Sequence, residues 1–296
     1  MSFVQRKIEI TITLVGSATF QGTSANTLTL KNLRMQTKVV KAGGATKGQL
    51  TASIYGMTLS QMNELSTLGM RIQATPRNVV TMKAGDDEKG MFTVFQGNIV
   101  DAYADMNAAP QTAFRLTASI GSAEAVAPVK PTSYAGGVDI NVILSGLAKQ
   151  MNLVYETSVP NGIIISNPYY CGSAWTQMRE AADTAGISCT IDDGILAAWP
   201  RNGARKNTTN DDPVEISIRT GMRGYPAFTK EGLLVTTLFN PALKFGGKAK
   251  VVSSLTPANG TWAIFTLDHS LDCQLPNGQW FSTLGLYNPS APVVTR

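Results

Sequence analysis

The sequence predicts a mainly β protein of the α+β class, in which two antiparallel β-domains of barrel or sandwich type flank a small α+β module. Three observations predict it. Ile8, Ile10, Ile12 and Leu14 alternate with Lys7, Glu9, Thr11 and Thr13, the period-two pattern of a half-buried strand. Between Asp139 and Gly186 the apolar period changes to that of amphipathic helices. From Val214 onward short β-branched runs return, separated by Gly, Pro and Asn, as in a small closed or sandwiched sheet.

Taken in order, the first strand is followed by candidates at Leu28–Leu33 and Leu50–Gly56. Thr58 is placed to cap a short helix with Leu59, Met62, Leu65 and Leu68 on one side and Gly69 at its end. Val79–Ala84 and Met91–Phe95 flank Gly85-Asp86-Asp87-Glu88-Lys89-Gly90, a hairpin loop. Gly97–Tyr103 and Phe114–Ile120 complete an N-terminal domain over residues 1–125. The Pro/Gly/Ala-rich stretch 126–138 lacks periodicity and reads as a linker. Within 139–200, Asp139 caps a helix carrying Ile140, Ile143, Leu144, Leu147, Ala148 and Met151 on one face. Leu153–Tyr155 and Ile163–Ile165 are short strands. Ser173 opens a second helix, with Trp175, Met178, Ala182 and Ala185 inward and Gly186 at its end. Ile187–Ile191 and Ile195–Trp199 form a hairpin over Asp192-Asp193-Gly194. The polar stretch 201–213 is a second linker, and 214–296 a second β-domain.

At 296 residues the chain can bury a sizeable core. Charged residues make up 15%, against roughly 25% in an average soluble protein, which suits a surface covered by neighbours. The net charge of +5 is spread thinly: 12 Lys/Arg against 8 Asp/Glu in residues 1–125, 6 against 6 in 126–206, and 7 against 6 in 207–296. That pattern lacks the clustered footprint of a dedicated nucleic-acid binder. Cys171, Cys189 and Cys273 are scattered and odd in number, arguing for reduced thiols and cytosolic synthesis. The N-terminus leads straight into a strand without the features of a signal peptide, and no apolar run reaches the ~18 residues of a membrane span.

Candidate chemistry is sparse. His269 is the single histidine, beside Asp268 and near Asp272, but no GxSxG nucleophile elbow accompanies it. It reads as a strand-end residue with a hydrogen-bonding or interface role, and it lacks partners at metal-ligand spacing. The pairs Asp86-Asp87, Asp192-Asp193 and Asp211-Asp212 fall in turns or linkers, where aspartate hydrogen-bonds nearby backbone. Lys41-Ala42-Gly43-Gly44-Ala45-Thr46-Lys47-Gly48 departs from the phosphate-binding pattern, because Gly48 follows Lys47 where Ser or Thr belongs. It reads as a mobile loop between strands. In an assembled ring Gly43, Gly44, Lys47 and Gly48 would order against a neighbour or face a lumen carrying DNA. Trp175, Trp199, Trp262 and Trp280 lie on strong helix or strand patterns and are assigned to the core. No cofactor or catalytic residue is expected.

The run from Leu238-Phe239-Asn240-Pro241 through the Gly246-Gly247 turn, Lys250-Val251-Val252-Ser253 and Leu267-Asp268-His269-Ser270, with Asp272 and Trp280, carries a resemblance. In this order the motifs resemble the tail hub proteins of contractile-tailed bacteriophages, the group that includes the late-control protein D family. Ser270 stands where that family carries a glycine, and Leu271 separates it from Asp272. The resemblance implies that the two β-domains are tail-tube-like and that the protein is structural rather than an enzyme. It further implies a homotrimer in the virion baseplate, made in the host bacterial cytoplasm. Such a trimer would join a hexameric tail tube protein to a trimeric central spike protein, touch other baseplate proteins, and form part of the DNA conduit. The alternatives are a tail tube or other tail structural protein, a β-rich hydrolase, or a carbohydrate-binding tail protein.

Overall fold

A computed structural model of the chain describes residues 4–16, 18–20, 24–42, 46–66, 78–126, 129–206 and 212–288. It is mainly β and divides into two compact units. The first comprises Met1–Val40, Lys47–Ala127 and His269–Trp280; the second comprises Lys41–Thr46, Pro128–Asp268 and Phe281–Arg296.

In the first unit, β1 (Arg6–Thr13) pairs antiparallel with β2 (Thr27–Leu30) and β5 (Val79–Asp86), setting Ile12 opposite Leu28 and Ile10 opposite Met82. The alternation of β1 is realised: Ile8, Ile10 and Ile12 are buried. β5 continues to β6 (Gly90–Asp105), β6 to β7 (Ala113–Ser119), β7 to β4 (Gln49–Tyr55), and β4 to β3 (Arg34–Ala42), all antiparallel. The expected pair of strands at Met91–Phe95 and Gly97–Tyr103 is one strand, β6. Its register shifts where Met82 faces Phe95 but Lys83 faces Thr93, so one extra residue is absorbed as a bulge without breaking the strand. Helix α1 (Leu59–Leu65) starts as expected on a capping box, with Thr58 Oγ1 accepting from Gln61 N and Gln61 Oε1 accepting from Thr58 N. Met62 and Leu65 are buried, whereas Leu59 faces solvent; Leu68 and Gly69 lie outside the described residues.

β3 was invisible to pattern reading because its inner face mixes Met35 and Val39 with Thr37 and Lys41. Thr37 is buried because its hydroxyl donates to the Leu271 carbonyl at 2.7 Å.

In the second unit, the stretch expected to be a featureless linker carries β8 (Thr132–Ser133) and β9 (Gly137–Asp139). These pair with β12 (Tyr169–Tyr170) and β11 (Ile164–Ser166). Helix α2 (Ile140–Gln150) starts at Asp139, whose carboxylate accepts from Asn141 N at 2.8 Å and Gly162 N at 2.6 Å. Helix α3 (Ala174–Thr184) starts at Ser173 and buries Trp175, Met178, Ala181 and Ala182. Gln177 of α3, fully buried, accepts from Thr132 N and donates to the Lys130 and Gly172 carbonyls, which holds the upstream stretch against the helix. β10 (Val154–Thr157) lies parallel to β14 (Ile195–Pro200), which forms an antiparallel hairpin with β13 (Ile187–Asp192).

The same unit also holds a further run of hydrogen-bonded strands. β15 (Val214–Ser217) runs parallel to β18 (Lys248–Val252), which pairs with β19 (Gly260–Cys273). β19 neighbours β20 (Trp280–Tyr287), followed by β17 (Leu233–Leu238) and β16 (Met222–Phe228) at the edge. Ile216, Leu233, Val235, Leu243, Val251, Ile264, Leu267, Leu284 and Leu286 form its core.

Candidate functional site

The densest group of ionisable side chains lies in the second unit, around the β13–β14 hairpin. Asp193 and Gly194 form its two-residue turn with φ of 50° and 81°, the left-handed pair that Asp-Gly tolerates best. The turn reading therefore holds for Asp193. Asp192 departs from it: its carboxylate is buried, with Oδ1 accepting from Lys41 Nζ at 2.6 Å and Oδ2 from Arg205 Nη1 at 2.9 Å. Lys41 Nζ also donates to Asp193 Oδ2 at 2.8 Å. Arg205, 2% exposed, uses its remaining edge on Glu156, with Nε to Oε1 at 2.6 Å and Nη2 to Oε2 at 3.3 Å.

Three carboxylates thus share two cations, Lys41 and Arg205. Burial alone would push the Asp192 carboxyl up, but Lys41 and Arg205 outweigh it and hold the group at about 2. Asp193 moves the other way, raised by burial and by the neighbouring Asp192 despite Lys41. Its Oδ1 is buried with no hydrogen-bond partner among the described residues. Lys41 is raised because its two aspartates outweigh its burial, and Arg205 likewise by Glu156 and Asp192. Asp192, held ionised and doubly paired, is suited to locking the hairpin rather than to moving protons. Sequence reasoning missed the cluster because Arg205 sits in a polar stretch expected to be a linker, and Lys41 in a stretch expected to be a mobile loop. Lys41 instead belongs to β3, and its ammonium is engaged by the two carboxylates. An isolated basic residue among polar neighbours gives no local signal that it is buried.

Of the predicted loop residues, Gly43 and Gly44 lie outside the described residues. Lys47 is half-buried, and buried Gly48 accepts from Ile120 N at 2.9 Å. A Cβ on Gly48 would stand 2.7 Å from Ile120 Cδ1, so this glycine serves close packing.

Most family-motif positions serve a local turn or strand end, but His269, expected at a strand end, lies buried within β19 (Gly260–Cys273). Asn240 Oδ1 accepts from Ala242 N at 3.0 Å, and Pro241 follows the end of β17. Gly246, at φ 79°, donates to the Ile264 carbonyl and accepts from Arg205 N at 2.7 Å, while Gly247 accepts from Ile264 N. The Trp199 ring would lie 2.7 Å from a Cβ on Gly246, and it meets Phe245 edge-on at 5.9 Å. Ser253 N donates to Asn259 Oδ1 at 2.6 Å. Asp268 and His269 lie on β19, with His269 3% exposed. Asp272 Oδ2 accepts from Gln279 N at 2.9 Å, and Trp280 is buried with Arg6 over its ring at 5.7 Å. In the first unit, Asp86 Oδ1 accepts from Glu88 N and Lys89 N, and Asp87 pairs with Lys7. Asp211 lies outside the described residues. Trp175, Trp199 and Trp280 are buried, and half-buried Trp262 donates from Nε1 to the Ala258 carbonyl, in line with core packing. Among the described residues no group of three or more His, Cys, Asp or Glu is placed to hold a metal ion, and no helix is long and apolar enough to cross a membrane.

The sequence profile of the Baseplate hub gp41 family matches residues 8–276. The chain belongs to this family. Baseplate hub proteins of this kind are structural components of the phage tail, as the motif order around Asn240 and His269 suggested. Comparison with curated proteins gave no match. Solved structures with the same fold include the 43 kDa tail protein of prophage MuSo2 from Shewanella oneidensis, at TM-score 0.59 and 10% identity. That match covers 95% of this chain and 97% of the other. A tail protein from Neisseria meningitidis MC58 is similar at TM-score 0.60 and 9% identity, over 95% and 96% of the two chains. The Escherichia coli c3393 protein, a type VI secretion component described as structurally similar to T4 phage tail proteins gp27 and gp5, matches at TM-score 0.55 and 9% identity. It covers 86% of this chain and 73% of its own. The hub's mainly antiparallel fold is that of phage tail proteins.

Proposed function

We propose that this baseplate hub protein is a trimeric adaptor that joins a hexameric tail tube to a trimeric central spike and contributes to the DNA conduit. The family match over residues 8–276 is the observation that carries the reading. A domain division into 1–125, 139–200 and 214–296 would let each of three subunits supply two tube-like β-domains, so that three chains offer six. The mechanism is symmetry matching and adhesion, in which closed rings bury heterologous interfaces. The low charge content of 15% suits such extensive burial. Catalysis has no part in this reading: the aspartate pairs at Asp86-Asp87 and Asp192-Asp193 are engaged in turns and ion pairs. The protein's partners are then the tube protein, the spike protein and other baseplate proteins, with transient contact to passing DNA.

The test is copy number in purified particles, by quantitative mass spectrometry against the tube protein. Three copies per particle are expected. A large multiple of six would make the chain a tube subunit, and absence from the particle would overturn the structural role.

A further inference from the structure

We propose that a cavity in the second unit is a docking pocket for an extended peptide segment of a neighbouring protein, one that presents an apolar side chain beside a carboxylate. This rests on the structural role above, which supplies protein neighbours. The cavity holds about 330 Å³, and all its lining residues belong to that one unit. Its size is near the lower end of the roughly 300–1,000 Å³ of ligand pockets, enough for one or two side chains rather than a folded element.

The walls are aromatic. Trp199 and Phe245 meet edge to face at 5.9 Å, and Phe265 and Tyr287 at 6.2 Å. The Tyr287 hydroxyl is already used, donating to the Gly203 carbonyl at 3.0 Å, so its ring is what remains for an occupant. The rim is cationic. Arg179 and Asp183 stand one turn apart on α3, and Asp183 Oδ1 is engaged by Arg201 Nη2 at 3.2 Å. Arg179 is half-buried and makes no hydrogen bond or ion pair among the described residues. The lining thiol of Cys189 is pushed up to about 12 by burial and adds no negative charge. The lining thus carries two guanidiniums against one carboxylate, with one guanidinium unanswered. The complement is an apolar group with one carboxylate, since a half-buried arginine binds carboxylate through paired, charge-assisted hydrogen bonds. Aromatic walls flanked by arginine are also the composition in which interface binding energy concentrates.

The test uses the purified full chain with ¹⁵N-labelled tryptophan indoles, the Trp199 signal being assigned by its loss in Trp199→Phe. The probe is the peptide acetyl-Ala-Phe-Glu-Ala-amide, compared with versions carrying Gln for Glu or Ala for Phe. The acidic peptide should shift the Trp199 signal. Each replacement in the peptide should weaken binding, and Arg179→Gln should weaken the acidic peptide about tenfold, as for loss of one charged hydrogen-bonding partner. In Arg179→Gln the Glu and Gln peptides should bind alike. Absence of any Trp199 shift at millimolar peptide, equal binding of the Glu and Gln peptides to the wild-type chain, or an acidic peptide indifferent to Arg179→Gln would each overturn the proposal. None of these results bears on copy number in the particle, so failure of the pocket and failure of the adaptor reading are separable.

Discussion

Asp272 and Gln279 clasp each other across the loop between β19 and β20. The Asp272 amide donates to the Gln279 carbonyl at 2.8 Å, and the Gln279 amide donates back to Asp272 Oδ2 at 2.9 Å. The side chain thus continues a backbone pairing past the point where the strands separate. This gives Asp272 its local role in a motif where Leu271 displaces it from the usual family spacing.

Asp272→Ala should therefore lower stability by about 1 kcal/mol, the usual worth of one such hydrogen bond. Asp272→Asn keeps an acceptor and should lose less. Denaturant midpoints of the three proteins decide this; equal midpoints would mean the clasp contributes nothing.

The two aspartates of the β13–β14 turn should respond in opposite ways. Asp192→Asn leaves Lys41 and Arg205 short of a buried counter-charge and should cost roughly 3–5 kcal/mol. Asp193→Asn removes the carboxylate that exceeds the two cations, and asparagine accepts the turn's left-handed backbone. It should be neutral or stabilising at pH 7. Thermal melts of both variants test the asymmetry, and a large loss from Asp193→Asn would refute it.

Acid should act through Asp192. Its folded value, about 2, lies below the ordinary 3.8, so its contribution is complete above about pH 4 and is lost as pH falls towards 2. The shift corresponds to about 2 kcal/mol. Asp193, raised in the folded state, binds its proton more readily when folded and partly offsets that loss as the pH falls. Urea titrations through this window should show a stability decline in the wild type that is reduced in Asp192→Asn. The same slope in both proteins would locate the acid sensitivity elsewhere.

Two glycines separate backbone strain from packing. Gly186 and Gly246 both have positive φ, 64° and 79°, but a Cβ meets nothing within 4 Å at Gly186 and the Trp199 ring at 2.7 Å at Gly246. Gly186→Ala should cost about 1 kcal/mol from its backbone alone. Gly246→Ala should cost a further ~1–3 kcal/mol from overpacking. Comparable losses at the two sites would show that Trp199 yields easily.

Much of this architecture was legible locally. The strand at Ile8–Ile12, the caps Thr58, Asp139 and Ser173, and the Asp193-Gly194 hairpin follow from side-chain periodicity and backbone hydrogen bonding within a few residues. Strand β3 was not legible, because Thr37 and Lys41 occupy its inner face and break the binary pattern. Their partners, Leu271 and Asp192, lie 234 and 151 residues away. The motif order from Asn240 to Trp280 pointed to the hub family, although those residues lie in separate turns, strand ends and the interior of β19 rather than in one site.

The sequence by itself determined the fold class, the capped helices and regularly patterned strands, and the family, since each rests on short-range periodicity or on residue order. The tertiary structure alone decided which charges are buried, which glycines are packed against rings, and that an unanswered arginine stands over an aromatic pocket. Burial and pairing depend on residues brought together by the fold from distant parts of the chain, and no local pattern encodes that distance.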